Sequence, residues 1–165
     1  MRRKTINRKG FTLAETLIVV VILALISSAG AVATSAVMAS RVNMIQTADA
    51  EILGSTAFQA ISNELRFGQN IQVSDDSKSV SLDSLTYGLG RTLFLDGGRL
   101  KYGSDAKDQI LSESAYSGLH ITGLVFTEQD DGSIQIELAV SGNRGQLWSG
   151  KLAVVPLNGL ADASA

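Results

Sequence analysis

The chain has 165 residues, no cysteine, one histidine and a formal net charge of −2, which leaves room for one modest domain plus an anchor. Without cysteine there is no disulfide framework, no thiol nucleophile and no thiolate metal site. Arg2, Arg3, Lys4, Arg8 and Lys9 are 5 of the 14 basic residues, whereas the other 155 residues hold 9 basic and all 16 acidic ones, a formal charge of −7 that argues against direct nucleic-acid binding.

After this basic leader comes an apolar segment. Between Lys9 and Arg41 the only charged residue is Glu15, and Thr16 to Ser40 is 25 residues without a charge. At 1.5 Å per residue that stretch spans roughly 37 Å, enough to cross a hydrocarbon core of about 30 Å. A helix buried in a soluble core would show a polar face, and none appears before Ser27. Basic residues on its N-terminal side alone orient the N-terminus to the cytoplasm and the C-terminal part outside it. A cleaved secretory signal would end at small residues, and Ala31-Val32-Ala33 has that form. The helical pattern nevertheless continues past Arg41 with no Pro before Pro156, so the expectation is a retained helix.

Glu15 is the anomaly. An acid within a spanning helix costs about 2.5–3.5 kcal/mol on insertion scales and calls for a function with a partner. A position at the membrane interface, favoured by the helix dipole, would explain its tolerance. Its context is Lys9-Gly10-Phe11-Thr12-Leu13-Ala14-Glu15. Over residues 2 to about 40 the leader charge, the leader length, the Gly-Phe-Thr-Leu-x-Glu run and the uninterrupted apolar helix resemble type IV prepilins and pseudopilins. The resemblance implies cleavage between Gly10 and Phe11 by a prepilin peptidase and N-methylation of Phe11. It also implies that Glu15 meets the Phe11 amine of a neighbouring subunit during assembly. An α-amine with a reference pKa of about 7.7–8.0 is mostly protonated at neutral pH, and a buried carboxylate and ammonium offset each other's desolvation. Spacing alone would also permit a contact within one chain. Many type IV pilins carry a Pro about a third of the way along this helix; around Val32 there is none.

Small residues recur every fourth position at Ser27, Ala31, Ser35 and Ala39, a ridge that would let helices approach closely. In a sequence this rich in small residues, the same spacing also arises by composition alone. Beyond Arg41 the pattern turns amphipathic. Ile45, Ala48 and Ile52 share one face, and Phe58, Ile61 and Leu65 lie nearly opposite, with Gly54 between them. Either the first trio meets neighbouring subunits while the second packs under this chain's own sheet, or the helix is offset near Gly54. Gly68 is the expected helix stop.

From Gln69 the period changes to two. Short strands are predicted around Ile71 and Val73 and around Val80 and Leu82. Thr92–Leu95 and Arg99–Tyr102 flank Asp96-Gly97-Gly98 as one hairpin. Leu119–Thr127 and Ser133–Val140 form a second around Gln129-Asp130-Asp131-Gly132, and Gln146–Val155 is a last strand. The fold class is therefore α+β, a long helix packed on a small antiparallel β-sheet domain, pilin-like. The expected divisions are a leader at 1–10, a transmembrane or filament-core helix at 11–40, its amphipathic continuation at 41–67, an extracytoplasmic β-rich domain at 68–156 and a flexible tail at 157–165.

No residue pattern in the outer domain carries chemistry. His120 lies in a predicted strand with no Gly-x-Ser-x-Gly elbow to accompany it, and a hairpin-face histidine explains it. Asp130 and Asp131 precede Gly132 as turn residues do. Calcium, which some pseudopilins bind in a C-terminal loop, requires more oxygen ligands in register. Asp105, Lys107 and Asp108 read as a solvated loop, Gly97-Gly98 as a turn rather than a phosphate loop, and Trp148 and Tyr102 as core or sheet-face aromatics.

The sequence thus predicts a structural subunit of a type IV pilus or pseudopilus, of the minor kind, with no enzymatic activity, no cofactor and no metal. Its partners would be the prepilin peptidase, other pilin or pseudopilin subunits and an inner-membrane assembly platform. It would sit in the cytoplasmic membrane by one span and pass into a surface or periplasmic filament. The alternatives are a pseudopilin of a type II secretion or DNA-uptake system and, from another class, a signal-anchored extracytoplasmic binding module or enzyme that stays unassembled.

Overall fold

The computed structural model describes residues 12–103, 109–143 and 145–158. The expected Gly10–Phe11 cleavage point and the loop residues Asp105, Lys107 and Asp108 lie outside them. Two compact units divide the chain between Asn43 and Met44. Helix α1, Leu13–Phe67, contributes its residues 13–43 to the first unit and 44–67 to the second. No break occurs at Val32 or at Gly54, as expected of a run without Pro.

The second unit is α+β. Strands β1 (Gln69–Val73), β2 (Ser79–Ser84), β3 (Gly88–Asp96) and β4 (Arg99–Tyr102) form a four-stranded antiparallel sheet in sequence order. After the short helix α2 (Glu113–Tyr116), strands β5 (His120–Glu128), β6 (Ile134–Gly142) and β7 (Gly145–Val154) form a separate three-stranded antiparallel sheet. The periodicity predicted all seven strands. It gave neither α2 nor the division into two sheets. Four residues are too few to show a helical period, and pairing between sheets leaves no mark on alternation.

Local chemistry sets each turn. Asp96 pairs with Arg99 across Gly97 and Gly98, whose φ values of 56° and 76° suit the mirror-image turn that follows the twist of a hairpin. In the second hairpin, Gly132 takes φ 76° and the Asp131 carboxylate accepts the Ser133 N–H at 2.9 Å. The Ser133 hydroxyl and, after it, that backbone bond hold the Asp131 carboxyl below its usual range.

One apolar core joins the helix to both sheets. Ala50, Leu53, Ala57, Ile61 and Leu65 form the buried stripe of α1, spaced i, i+3, i+7, i+11, i+15. Ile71, Val80, Leu82, Leu93 and Leu100 meet it from the first sheet; Phe126, Ile134, Ile136, Leu138 and Val140 meet it from the second. Backbone bonds tie the sheets together at both ends of β5: Ile121 N–H donates to Gly98 O at 3.0 Å and Phe126 N–H to Ser77 O at 2.8 Å. Between them, the Arg99 guanidinium donates to both Glu113 carboxylate oxygens and to Leu119 O and lies 4.2 Å above the Tyr116 ring.

The end of α1 differs from a glycine C-cap. Gly68 does follow the helix, yet its φ is not positive. A Cβ there would lie 2.5 Å from Leu82 Cδ1 and 2.7 Å from Glu64 O, so glycine serves close packing rather than a left-handed turn. The orphan carbonyls are capped from 90 residues away. Leu157 N–H donates to Arg66 O at 3.0 Å, and the Asn158 amide donates to Phe67 O and Gly68 O, each at 3.2 Å. These two residues begin the stretch expected as a flexible tail; 159–165 lie outside the described residues.

Candidate processing and assembly site

Thr12 begins the site. Its carbonyl accepts the N–H groups of Glu15 at 3.0 Å and Thr16 at 3.2 Å, and its hydroxyl accepts the Glu15 N–H at 3.3 Å. Thr12 is therefore the N-cap of α1, with Glu15 at the third helical position. The Thr-x-x-Glu spacing of a capping box was present in the sequence and is the signal by which Thr12 could have been found. Glu15 lies in the first turn, exposed, where a negative charge is favoured by the helix dipole.

Through residues 13–43 every side chain is exposed. Leu17, Ile18, Val20, Leu23, Leu25 and Ile26 are each more than half exposed, and none of the most apolar window is buried within the chain. So much exposed apolar surface fits a membrane-anchored helix. Polar groups inside the segment suit one. The hydroxyls of Thr16, Ser28, Thr34 and Ser35 donate to the carbonyls of Leu13, Leu25, Gly30 and Val32 at 2.8–2.9 Å, so no water is needed to satisfy them. The small residues Ser27, Ala31, Ser35 and Ala39 sit among these exposed positions, and a Cβ at Gly30 would meet nothing within 4 Å.

In the second unit the two apolar faces of α1 separate without an offset at Gly54, the second trio packing under this chain's own sheets. Phe58, Ile61 and Leu65 pack against the sheets, whereas Ile45 at 57% and Ile52 at 63% exposure, with Ala48 between them, face outward. Gly54 belongs to the buried face. It makes room for the Trp148 ring, which also packs edge-on to Phe58 with centroids 5.5 Å apart.

The remaining candidates occupy structural positions. His120 pairs with Ser141 across β5 and β6, and the Ser141 hydroxyl bonds Thr122 at 3.0 Å. Asp131 serves its own turn, as above. Tyr102 is buried, its hydroxyl beside the Ser84 and Glu64 side chains but in no hydrogen bond of good geometry among the described residues; burial raises its pKa far above the ordinary tyrosine value. Ser84, which the sequence did not single out, donates to Glu64 at 2.7 Å and accepts the N–H groups of Thr86 and Tyr87, fastening the β2–β3 turn to α1. Among the described residues no three His, Asp or Glu side chains gather as a metal site.

Comparison with curated proteins and with solved structures finds no match. Residues 6–31 match the family model described as the prokaryotic N-terminal methylation motif, the type IV prepilin signature. The matched stretch contains Gly10, Phe11, Thr12 and Glu15 and runs into the exposed apolar helix. That signature implies processing by a prepilin peptidase and assembly with other pilins. The chain therefore carries the type IV prepilin signature in its N-terminal stretch, with a membrane-compatible helix running on from it and an α+β unit after it.

Proposed function

We propose that the protein is a structural, non-enzymatic minor subunit of a type IV pilus or pseudopilus, cut between Gly10 and Phe11 and methylated on Phe11. The observation that carries this reading is the apolar helix following the matched motif. Its side chains are all exposed through residue 43, and its single acid sits in the first turn. In the bilayer such a surface meets lipid; in a filament it meets other subunits, and the Glu15 carboxylate meets the Phe11 amine of a neighbour. The N-terminus faces the cytoplasm, the second unit lies outside it, and an inner-membrane platform extracts the subunit into the growing filament. The cysteine-free outer unit supports the minor role.

The mature N-terminus tests this. Mass spectrometry of the protein from its own membranes is expected to show a chain starting at N-methylated Phe11. An intact Met1, or a chain starting after Ala33, would overturn the reading in favour of an uncut anchor or a cleaved signal.

A further inference from the structure

We propose that Asn158, with Gly159 after it, is a deamidation site whose conversion permanently removes its cap from the end of α1. Of the asparagines in the chain, Asn158 is the one followed by glycine. A glycine has no Cβ to shield its backbone nitrogen. The Gly159 nitrogen gives up its proton and bonds to Cγ of Asn158. The Cγ–Nδ2 bond breaks, and Nδ2 leaves as ammonia with a proton in place of the lost bond. Water then opens the resulting cyclic imide at either of its carbonyls, giving aspartate or isoaspartate.

The fold gives this chemistry a consequence. Asn158 is exposed, and its amide donates to Phe67 O and Gly68 O at 3.2 Å each. While both bonds stand, the side chain is held against α1 and Nδ2 is engaged, so reaction proceeds when this exposed end of the chain opens. The product cannot close again. A carboxylate donates no hydrogen bond, and it sets its oxygens against the two carbonyls that Nδ2 served. It also brings negative charge to the negative end of the helix dipole. Arg66, exposed in the last turn, offers a surface ion pair, which contributes little. Opening of the cap is thereby turned into a one-way change, and aged chains carry an added charge beside a helix end that has lost its partner.

The test incubates the full chain in detergent micelles in warm, mildly alkaline buffer, beside Gly159→Val, with Asn158→Asp and Asn158→Ala as unincubated references. Peptide mass spectrometry and labelling by an isoaspartyl methyltransferase read the conversion, and thermal unfolding followed by Trp148 fluorescence reads its effect. The wild-type chain is expected to gain the amide-to-acid mass shift and isoaspartate label at Asn158. Its unfolding midpoint should fall in step with the converted fraction. Gly159→Val should keep its amide, and its midpoint should not change on incubation. Asn158→Asp should unfold below wild type, at or below the midpoint of Asn158→Ala. Four outcomes would overturn the proposal: no conversion at Asn158, equal conversion in Gly159→Val, an unchanged midpoint in converted protein, or Asn158→Asp more stable than Asn158→Ala.

Discussion

A Cβ on Gly54 would lie 2.3 Å from Cζ3 of Trp148, a distance no real side chain tolerates. Gly150 faces the same ring from β7, where a Cβ would lie 2.7 Å from Cη2. Trp148 therefore sits in a slot made by two absent side chains, one on the helix and one on the sheet, and this slot fixes how closely β7 approaches α1. Gly54→Ala should gain about 1 kcal/mol in helix propensity and lose more to overpacking, which costs about 1–3 kcal/mol. The net expectation is a less stable second unit. Denaturation of the full chain in detergent, followed by fluorescence of Trp148, the only tryptophan, measures it. An unchanged or higher midpoint would mean that the ring moves aside at little cost.

Two buried tyrosines should respond in opposite ways to loss of the hydroxyl. Tyr116 accepts the buried Leu100 N–H at 2.9 Å, so Tyr116→Phe leaves that donor unsatisfied and should cost about 1–3 kcal/mol. Tyr102 has no hydrogen-bond partner for its hydroxyl among the described residues, so Tyr102→Phe should be neutral or stabilising. Equal losses in thermal denaturation of the two variants would contradict this assignment.

Glu113 makes stability depend on pH. Hydrogen bonding to Arg99 holds its folded carboxyl below the usual 4.5. A folded pKa below the unfolded one gives a contribution that is present above the unfolded value and lost as pH falls through the folded one. Glu113→Gln should thus be less stable than wild type at pH 7 and converge with it as the pH falls through the lowered folded value of Glu113. A constant difference across that range would show that the ion pair is not its source.

Asn158→Ala removes the side chain that caps Phe67 O and Gly68 O. These bonds lie partly in solvent, so a loss of about 0.5–1 kcal/mol is expected in the unfolding free energy. A chain ending at Val155 should lose more, because the Leu157 N–H bond to Arg66 O goes as well. No change in either variant would leave the end of α1 held by packing alone.

Glu15→Ala should leave cleavage before Phe11 intact and prevent entry into filaments, measured as processed protein in the membrane against sheared filament. Normal incorporation would remove Glu15 from assembly.

The charge-free helix, the acid in its first turn and the seven strands were all legible in the sequence, because each rests on local order: absence of charge, period 3.6 or period 2, and paired glycines at a turn. Thr12 was not singled out, although its capping spacing to Glu15 stood in the sequence; its bond to the Glu15 N–H shows it as the cap. Tertiary structure alone decided the rest. That seven strands divide four and three, that Gly54 is a slot for Trp148 rather than an offset, and that Asn158 caps a helix ending 91 residues earlier depend on contacts between distant segments. No local pattern encodes such contacts, because they are chosen only when the whole core closes.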